Sequence, residues 1–293
     1  MSSSLSPEAR SESLIEALPY IQKFRGQTFV IKYGGAAMEE DQIVDRFLRD
    51  VVFLEAVGIN PVLVHGGGKA ITAKMREAGL KAQFVNGLRV TDEKSIQIVE
   101  STLDGVINPH IVETIHEYGG RARGFSGKNV FEAVKLGLQH QDDGQEIDIG
   151  FVGEAAHINT AEILACVAEE VVPVISPIGA DKNGVVLNIN ADIAAAALAA
   201  AVKASKLIFV SDVPGIMRDP SQPESLIPSV NTEQIKTLIK KKVIAGGMIP
   251  KVQSATSALT KGVEKVHMIG GHIQHGLLLE IFTNAGIGTE LVQ

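Results

Sequence analysis

The chain of 293 residues is 45% hydrophobic and 21% charged, which is typical of a packed globular protein and excludes intrinsic disorder. Its formal net charge of −7 comes without a basic stripe, so we expect no binding to nucleic acid or to an anionic membrane. The single cysteine, Cys166, excludes an intrachain disulfide framework and fits a reducing compartment.

The N-terminal segment is predicted to be a frayed tail over 1–10 and a helix over 11–25. Apolar residues at helical spacing indicate this helix: Leu14, Ile15, Leu18 and Ile21. They form a stripe that must pack on the body of the protein or on another subunit. The segment lacks the layout of a secretory signal, and no run in the chain is long and apolar enough for a membrane span, so we expect a cytoplasmic protein.

Between residues 28 and 153, apolar strands alternate with glycines and amphipathic helices. The pattern predicts strands over 28–32 and 61–65, helices over 41–57 and 69–79, a mostly helical stretch over 92–118 that breaks near Asn108, and antiparallel hairpins over 128–153 at the edge of the first half of the fold. Each of the first two strands runs into glycines, which predicts tight turns into the helices that follow.

The second half of the chain repeats the alternation. It predicts strands over 171–175, 206–210 and 263–269 and helices over 191–202, 231–241, 249–261 and 275–282. Near-continuous apolar strands between helices indicate an α/β fold, with a mainly parallel central sheet sandwiched between helices. Because no change in composition marks a linker, we expect two lobes that share the sheet: a tail and helix over 1–26, an N-terminal lobe over 27–180 and a C-terminal lobe over 181–293.

Two glycine clusters near strand ends are the first candidates for a functional site. Gly34-Gly35 comes shortly after Lys32, and Gly66-Gly67-Gly68 follows His65. Glycine lets backbone N–H groups approach an anion, and ligands of open α/β sheets bind at the carboxyl ends of strands. A tight turn would explain one such cluster, whereas two neighbouring clusters favour anion binding.

Polar residues beside apolar helices are the second group of candidates. Lys251 lies at a predicted helix start, where a cation is unfavourable unless it meets an anion such as phosphate. Asp192 heads an apolar helix behind Asn190, so it either belongs to a helix cap or holds a lysine in place. Arg89 follows a glycine turn and suits a carboxylate, although a surface position also explains a lone arginine or lysine.

Motifs that define several other functions are missing. GxxxxGK[ST] and GxGxxG are absent, which argues against P-loop and Rossmann sites, and the GxSxG nucleophile elbow is absent as well. His272 and His275 form the only close histidine pair, and no acidic or cysteine partner stands at metal-site spacing. We therefore expect no zinc site.

Six motifs occur together in a specific order. They are FVIKYGGAAM (29–38), VLVHGGGKAI (62–71), NGLRVT (86–91), LNINAD (187–192), SDVPGIMRDP (211–220) and GGMIPKV (246–252). The set resembles the N-acetylglutamate kinases of the amino acid kinase family over about residues 14–292. NGLRVT separates these enzymes from the aspartate, glutamate, carbamate and UMP kinases of the same fold. The resemblance implies the amino acid kinase fold and ATP-dependent phosphorylation of the side-chain carboxylate of N-acetyl-L-glutamate, the second step of arginine biosynthesis.

The resemblance also implies roles for residues of these motifs. The catalytic set is Lys32, Lys251, Asp192 and Gly35, in which the lysines stabilise the transferring phosphoryl group and the aspartate orients them. The residues implied to hold N-acetylglutamate are Gly67, Gly68, Arg89 and Asn188. The resemblance implies that the N-terminal lobe binds this substrate and forms the dimer, and that the C-terminal lobe binds ATP and arginine. The ATP residues are Gly34, Asp212, Val213, Pro214, Gly215, Ile216, Met217, Val243, Ile244 and Ala245. Mg²⁺ is expected to bind through the ATP phosphates and water, without protein ligands.

Both ends of the chain resemble arginine-inhibited, hexameric members of the family. The segment EALPYIQKFRG (16–26) resembles their N-terminal helix, which implies intersubunit packing and a homohexamer made of three dimers. The segment HGLLLEIFTNAGIGTEL (275–291) resembles their arginine site, which implies inhibitor contacts by Tyr20, His267, Glu280 and Gly286. The run GGHIQHG (270–276) departs from the usual acidic-Gly-Arg pattern, and Ala155 stands where the family has valine. The residues do not reveal whether the signalling protein PII binds.

Two alternatives stay open at this stage. One is a kinase of another acidic amino acid with the same fold, which NGLRVT argues against and substrate competition would test. The other is a catalytically silent sensor of arginine or nucleotide. A sensor predicts the loss of a catalytic residue, whereas Lys32, Lys251 and Asp192 are all present.

Overall fold

The computed structural model describes residues 6–38, 41–140, 145–284 and 286–293. Its α-helices are α1 (Pro7–Phe24), α2 (Asp41–Ala56), α3 (Gly68–Glu77), α4 (Glu93–Thr102), α5 (Asn108–Glu117), α6 (Gly127–Val130), α7 (Ala161–Ala168), α8 (Ala191–Ala201), α9 (Thr232–Lys240), α10 (Met248–Thr260) and α11 (Gly276–Phe282). Its strands are β1 (Thr28–Tyr33), β2 (Asn60–His65), β3 (Phe84–Val85), β4 (Leu88–Arg89), β5 (Ala122–Phe125), β6 (Phe131–Lys135), β7 (Gln139–His140), β8 (Glu146–Ile147), β9 (Val152–Ile158), β10 (Val172–Ile175), β11 (Ile178–Ala180), β12 (Val186–Ile189), β13 (Lys206–Ser211), β14 (Ser229–Asn231), β15 (Lys265–Gly270) and β16 (Thr289–Val292).

A large sheet forms the centre of the molecule. Among the described residues it has eight strands, in the order β14-β16-β15-β13-β1-β2-β10-β5. Neighbouring strands are parallel except for β15 and β16, which are antiparallel. Because β1 lies between β13 and β2, both halves of the chain contribute to one sheet. The predicted α/β fold with a mainly parallel central sheet is confirmed.

Helices cover both faces of the sheet, because its strands are apolar on both sides. Val30 of β1 packs in a cluster with Leu198 of α8 and Ala255 of α10. The next residue, Ile31, packs on the opposite face with side chains of α2, α5 and α11, including Leu48. Successive strand residues point to opposite faces, so a single strand helps to bury two helical layers.

Two predicted segments differ from the structure. The helix α1 begins at Pro7, not at residue 11, because the Ser6 side chain accepts a 3.2 Å hydrogen bond from the amide of Ala9 and proline fits the first turn. The antiparallel pairing predicted over 128–153 is present between β6 and β9 and between β7 and β8, but β9 extends to Ile158, and β6 and β9 belong to a separate closed barrel with β11 and β12. Residues 1–5 of the predicted tail and 141–144 of the hairpin region lie outside the described residues.

Other predicted features can be followed along the chain. The break expected near Asn108 is a π-helical turn over Leu103–Ile107, directly between α4 and α5. The short strands β14 and β16 at one edge of the sheet were not predicted. In the described ranges, no helix has both the length and the apolar composition needed to cross a bilayer. The bounds of the two lobes stay a prediction.

Candidate active site

Three charged side chains from separate elements meet at the carboxyl end of β1. Lys32 belongs to this strand, Asp192 to the first turn of α8, and Lys251 to the first turn of α10. Lys32 Nζ lies 3.0 Å from Asp192 Oδ1, and Lys251 Nζ donates a 2.9 Å hydrogen bond to Asp192 Oδ2. All three side chains are at most 14% exposed. One carboxylate therefore bridges two ammonium groups, and we call this set the lysine–aspartate cluster.

The local sequence explains how Asp192 reaches this position. Asn190 caps α8, since its side-chain oxygen accepts hydrogen bonds from the amides of Asp192 at 2.8 Å and Ile193 at 3.3 Å. The carboxylate is then free to point at the lysines. Lys251 also lies over the ring of Phe209, with 5.6 Å between Nζ and the ring centroid. Asn190 is thus the cap, and Asp192 holds the lysines.

The cluster carries more positive than negative charge. Burial would raise the pKa of Asp192, but the ammonium groups of Lys32 and Lys251 hold it below its ordinary value. Burial lowers the pKa of Lys32, an effect that Asp192 opposes and Lys251 reinforces. Lys32 Nζ lies 3.0 Å from Asp192 Oδ1, and an ammonium group carries three N–H donors, of which this contact takes one. The remaining N–H groups of Lys32 can therefore turn to a bound anion.

The two glycine clusters lie side by side next to the lysine–aspartate cluster. A Cβ atom added to Gly34 would come within 2.9 Å of Lys32 Nζ, so a larger residue would displace the ammonium group. Gly35 has φ of +74°, which favours glycine. The amide of Gly66 donates a 2.6 Å hydrogen bond to the carbonyl of Tyr33, which joins the ends of β1 and β2.

A cleft of about 460 Å³ opens on one side of the cluster. It is lined by residues predicted to bind the acceptor or the phosphoryl group, namely Lys32, Gly35, Gly67, Gly68, Arg89, Asn188 and Asp192. Arg89 Nη2 donates to the carbonyl of Gly68 at 2.7 Å and to Thr72 Oγ1 at 2.9 Å. Asn188 Nδ2 donates to Thr91 Oγ1 at 3.3 Å. These contacts hold a guanidinium and an amide at the wall of the cleft.

A second cavity, of about 610 Å³, lies on the other side of the cluster. Lys251 lines it together with most of the residues predicted to bind ATP, which are Asp212, Val213, Gly215, Ile216, Met217, Val243, Ile244 and Ala245. Pro214 belongs to the same loop but is outside this lining. Since Asp192 lines the first cavity and Lys251 the second, the lysine–aspartate cluster stands where the two cavities meet.

The residues predicted to contact arginine lie near α1 and α11. His267 Nδ1 donates to Glu280 Oε1 at 2.6 Å, and Glu280 Oε2 accepts from the amides of Ile287 and Gly288 at 2.7 and 3.1 Å. Gly286 has φ of +60°, and a Cβ atom there would come within 2.9 Å of Glu280 Oε2. Tyr20 belongs to α1, and its hydroxyl donates a 2.6 Å hydrogen bond to Asn284 Oδ1.

Sequence reasoning missed one charged residue in this second group. Lys206 Nζ donates a 2.9 Å hydrogen bond to His267 Nε2, and burial lowers the pKa of Lys206 to about 8, with repulsion from Lys265 in the same direction. Lys206 begins β13, in which all six residues are buried and the four between Lys206 and Ser211 are apolar. Because Ile208 pairs with His267 in the sheet, Lys206 lies on the same face as that histidine.

Comparison with known proteins agrees with this architecture. The model of the amino acid kinase family matches residues 27–270. The chain belongs to the amino acid kinase family. Within it the chain groups with the acetylglutamate kinases: the acetylglutamate kinase of Akkermansia muciniphila is 49% identical over 96% of this chain and 94% of the relative. The resemblance expected from the six motifs is confirmed.

Solved structures of a related enzyme share the fold. An N-acetylglutamate synthase from Neisseria gonorrhoeae, in complex with coenzyme A and N-acetyl-glutamate, matches 97% of this chain with a TM-score of 0.85 and 25% identity. The same synthase in complex with coenzyme A and L-arginine matches 96% of this chain with a TM-score of 0.80 and 26% identity. This chain spans 63% and 65% of those two synthase chains.

Proposed function

We propose that this chain transfers the γ-phosphoryl group of ATP to the side-chain carboxylate of N-acetyl-L-glutamate, as a step of arginine biosynthesis. The observation that carries the proposal is the lysine–aspartate cluster, which stands between two cavities with a surplus of positive charge. Membership of the acetylglutamate kinases supports the choice of acceptor. We also propose a cytoplasmic location, because the single cysteine, Cys166, fits a reducing compartment.

The reaction requires mainly that the protein positions the two substrates and neutralises the negative charge of the phosphoryl group. A carboxylate oxygen of the acceptor attacks the γ-phosphorus in line, the bond to the bridging oxygen breaks, and ADP leaves. The acceptor carboxylate is already ionised at pH 7, so the chain needs no general base. Lys32 and Lys251 face the charge that spreads over the phosphoryl oxygens, and Asp192 fixes both ammonium groups before the reaction begins.

The two cavities divide the substrates between them. Arg89 uses Nη2 for Gly68 and Thr72 and one Nη1 hydrogen for Met75 Sδ, and its remaining N–H groups suit a carboxylate of N-acetylglutamate. Asn188 supplies a second polar group to the same wall. The larger cavity beside Lys251 accommodates the adenosine end of ATP. Apolar side chains of the loop that follows β13 and of residues 243–245 line this cavity. Phosphates would then extend toward the cluster.

We assign Mg²⁺ to the ATP phosphates and to water. Asp192 is a poor ligand for a cation, because both of its oxygens already face ammonium groups. When bound to the nucleotide, the ion supplies further positive charge for the phosphate oxygens. No step of the reaction described above depends on a protein ligand to the metal.

We also propose that arginine inhibits the enzyme and that the chain forms a homohexamer. Glu280 is a buried carboxylate beside His267, and its pKa stays below the ordinary value because hydrogen bonds from His267 and Ile287 outweigh burial. An ionised carboxylate in such a site suits a guanidinium. The helix α1, which carries Tyr20, exposes Leu14 and Ile15 at 68% each, and another subunit that packed on them would bury this stripe.

The decisive experiment measures ADP release from Mg-ATP with N-acetylglutamate, with glutamate and aspartate as control acceptors. We expect activity with N-acetylglutamate alone and a fall on addition of arginine. Activity with glutamate or aspartate instead would indicate a kinase of another acidic amino acid. Activity that ignores arginine would remove the regulatory part, and binding of arginine without any turnover would indicate a sensor.

A second experiment tests the oligomer. Sedimentation of the full chain should give a hexamer, and deletion of residues 1–25 should give dimers and weaken inhibition by arginine. A deletion variant that stays hexameric would contradict the role of α1.

A further inference from the structure

His65 is a buried polar residue that the reaction above does not use. It ends β2, directly before the glycine cluster 66–68, and its side chain is completely buried. Burial lowers its pKa to about 4, although the carbonyl of Gly66 and the charge of Asp104 oppose that shift, so the imidazole is neutral near pH 7. Its ring nitrogens have two neighbours: Nδ1 lies 2.9 Å from the carbonyl oxygen of Gly66, and Nε2 lies 3.2 Å from Asn108 Nδ2.

These contacts allow one arrangement of protons. Asn108 Nδ2 also donates a 2.9 Å hydrogen bond to the carbonyl of Val174, so the atom next to His65 is the amide nitrogen. That nitrogen donates to His65 Nε2, which must therefore accept. The single proton of the neutral ring then lies on Nδ1 and is donated to the Gly66 carbonyl. A chain of donors runs from Asn108 through His65 to the peptide between Gly66 and Gly67.

The orientation of that peptide decides what the cleft presents to a ligand. In a planar trans peptide the C=O and N–H groups point in opposite directions. The Gly66 carbonyl faces the buried imidazole, so the amide of Gly67 faces away from it. Gly66, Gly67 and Gly68 line the acceptor cleft, whereas His65 does not. Within the described part of the chain, the amide of Gly67 has no acceptor of its own.

Taken together, the geometry points to His65 as a positioning residue that aims the amide of Gly67 at an anionic oxygen of the bound substrates. The identity of that anion, N-acetylglutamate or the phosphoryl group that it receives, rests on the proposed function. His65 itself touches no substrate. It acts on the peptide between Gly66 and Gly67. Inversion of this peptide would replace the Gly67 amide with the Gly66 carbonyl oxygen in the cleft.

The backbone at this place in the chain allows the peptide to invert. The peptide joins two glycines, and a peptide between residues without Cβ atoms rotates with little steric hindrance. If it turned over, the Gly66 carbonyl would face the cleft and repel a carboxylate or a phosphate. An apolar residue at position 65 would favour that rotation, because it would leave a buried carbonyl without a donor.

Two variants with amide side chains distinguish this role from a purely structural one. In His65→Asn the side-chain nitrogen overlays Nδ1 and can still donate to the Gly66 carbonyl. In His65→Gln the amide overlays Nε2, so it reaches Asn108 but offers no donor to Gly66. His65→Asn has the shorter side chain and leaves the larger gap in the core, so a greater loss of activity in His65→Gln would not come from lost packing. Only His65→Gln removes the hydrogen bond that orients the peptide.

The test compares steady-state kinetics and thermal unfolding of both variants with the unsubstituted chain. We expect kcat/KM for N-acetylglutamate to fall about 10- to 100-fold in His65→Gln and less than about threefold in His65→Asn, while KM for ATP is the same in all three proteins. Equal losses in the two variants, or losses that follow their unfolding temperatures, would overturn the inference. An unsubstituted chain that fails to phosphorylate N-acetylglutamate would overturn the proposed function instead.

A second measurement needs no substitution. The histidine ¹⁵N spectrum of the full chain should show the His65 ring neutral and protonated on Nδ1 between about pH 5.5 and 8, as a signal separate from that of His267, whose Nδ1 also donates a hydrogen bond. Its assignment uses through-bond correlations to the backbone of residues 64–66, so it does not depend on either variant. A ring at position 65 that carries its proton on Nε2 would contradict the inference even if neither variant folded.

Discussion

The candidate active site and the candidate arginine site both place lysine close to a buried acid, yet they balance charge in opposite ways. In the first, Lys32 and Lys251 share one carboxylate, Asp192, and no backbone amide is hydrogen-bonded to it among the described residues. In the second, the carboxylate of Glu280 receives one hydrogen bond from a histidine and two from backbone amides. Lys206 contacts the other nitrogen of that histidine, His267 Nε2, so one residue separates its ammonium group from Glu280.

The difference indicates which ligand each site can accept. In the lysine–aspartate cluster two ammonium groups share one paired carboxylate, and Asp212 acts on Lys32 only through its charge, without a direct ion pair. An incoming phosphate would therefore complete the charge balance. Glu280 is ionised because of neutral amides and His267, so its charge is not cancelled by the lysine and stays available to a cation. The partners of the carboxylate therefore distinguish the two sites. A carboxylate paired with two ammonium groups indicates an anion site, and a carboxylate held by backbone amides and a histidine indicates a cation site.

Removing a cation from the active site should have the largest effect. In Lys32→Ala we expect kcat to fall by about 10²- to 10³-fold with a modest change in the KM values, because the charge acts mainly on the transition state. Steady-state ADP release measures this. Lys74→Ala is the matched control, since Lys74 is an exposed lysine paired with Glu77. Equal turnover in Lys32→Ala and the control would remove Lys32 from the reaction.

Removing the anion of the active site should cost both activity and stability. Asp192→Asn leaves Lys32 and Lys251 close together without a countercharge, and the loss of one partner from a buried ion pair typically costs about 3 kcal/mol of unfolding free energy. Denaturant unfolding at pH 7 measures the loss, and saturating ATP should restore part of it because phosphate replaces the missing charge. A variant as stable as the wild type would show that Asp192 does not balance the lysines.

Neutralising the acid of the second site should affect regulation alone. Glu280→Gln keeps an oxygen for the amides of Ile287 and Gly288 but loses the negative charge, so we expect the half-inhibitory arginine concentration to rise about tenfold. Turnover without arginine should stay within about twofold of the wild type. Glu264→Gln, at an exposed position just before β15, provides the control. Unchanged inhibition in Glu280→Gln would place the arginine site elsewhere.

The active site was the easier of the two regions to predict from sequence. Lys32, Gly34 and Gly67 follow or end neighbouring strands, and the carboxyl ends of parallel strands must meet at one edge of the sheet. Convergence there depends on the fold class, which the alternation of apolar strands and helices already indicates. The capping pattern at Asn190 and Asp192 is also local, so it can be read within a few residues.

The features that sequence could not reveal depend on contacts between distant segments. Lys206 and His65 each belong to an apolar strand, and nothing local distinguishes a buried polar residue with partners from a surface one. Their partners, His267 and Asn108, are supplied by sheet register and by the helix after the π-helical turn. The strand β14 has only three residues, so its pairing with β16 leaves no periodic signal.

The smallest expected effect concerns the protonation of Lys206. Its pKa is lowered from 10.5 to about 8 in the folded protein, so above pH 8 the unfolded chain binds a proton that the folded chain does not. Unfolding free energy then rises with pH, because deprotonation relieves the cost of burying the charge. Compared with Lys206→Met, which cannot titrate, the wild type should gain about 1 kcal/mol between pH 7 and 9. Denaturant unfolding of both proteins at several pH values measures the gain. If the unfolding free energies of the two proteins changed in parallel with pH, Lys206 would keep its proton. The second site would then carry as much positive charge as the first.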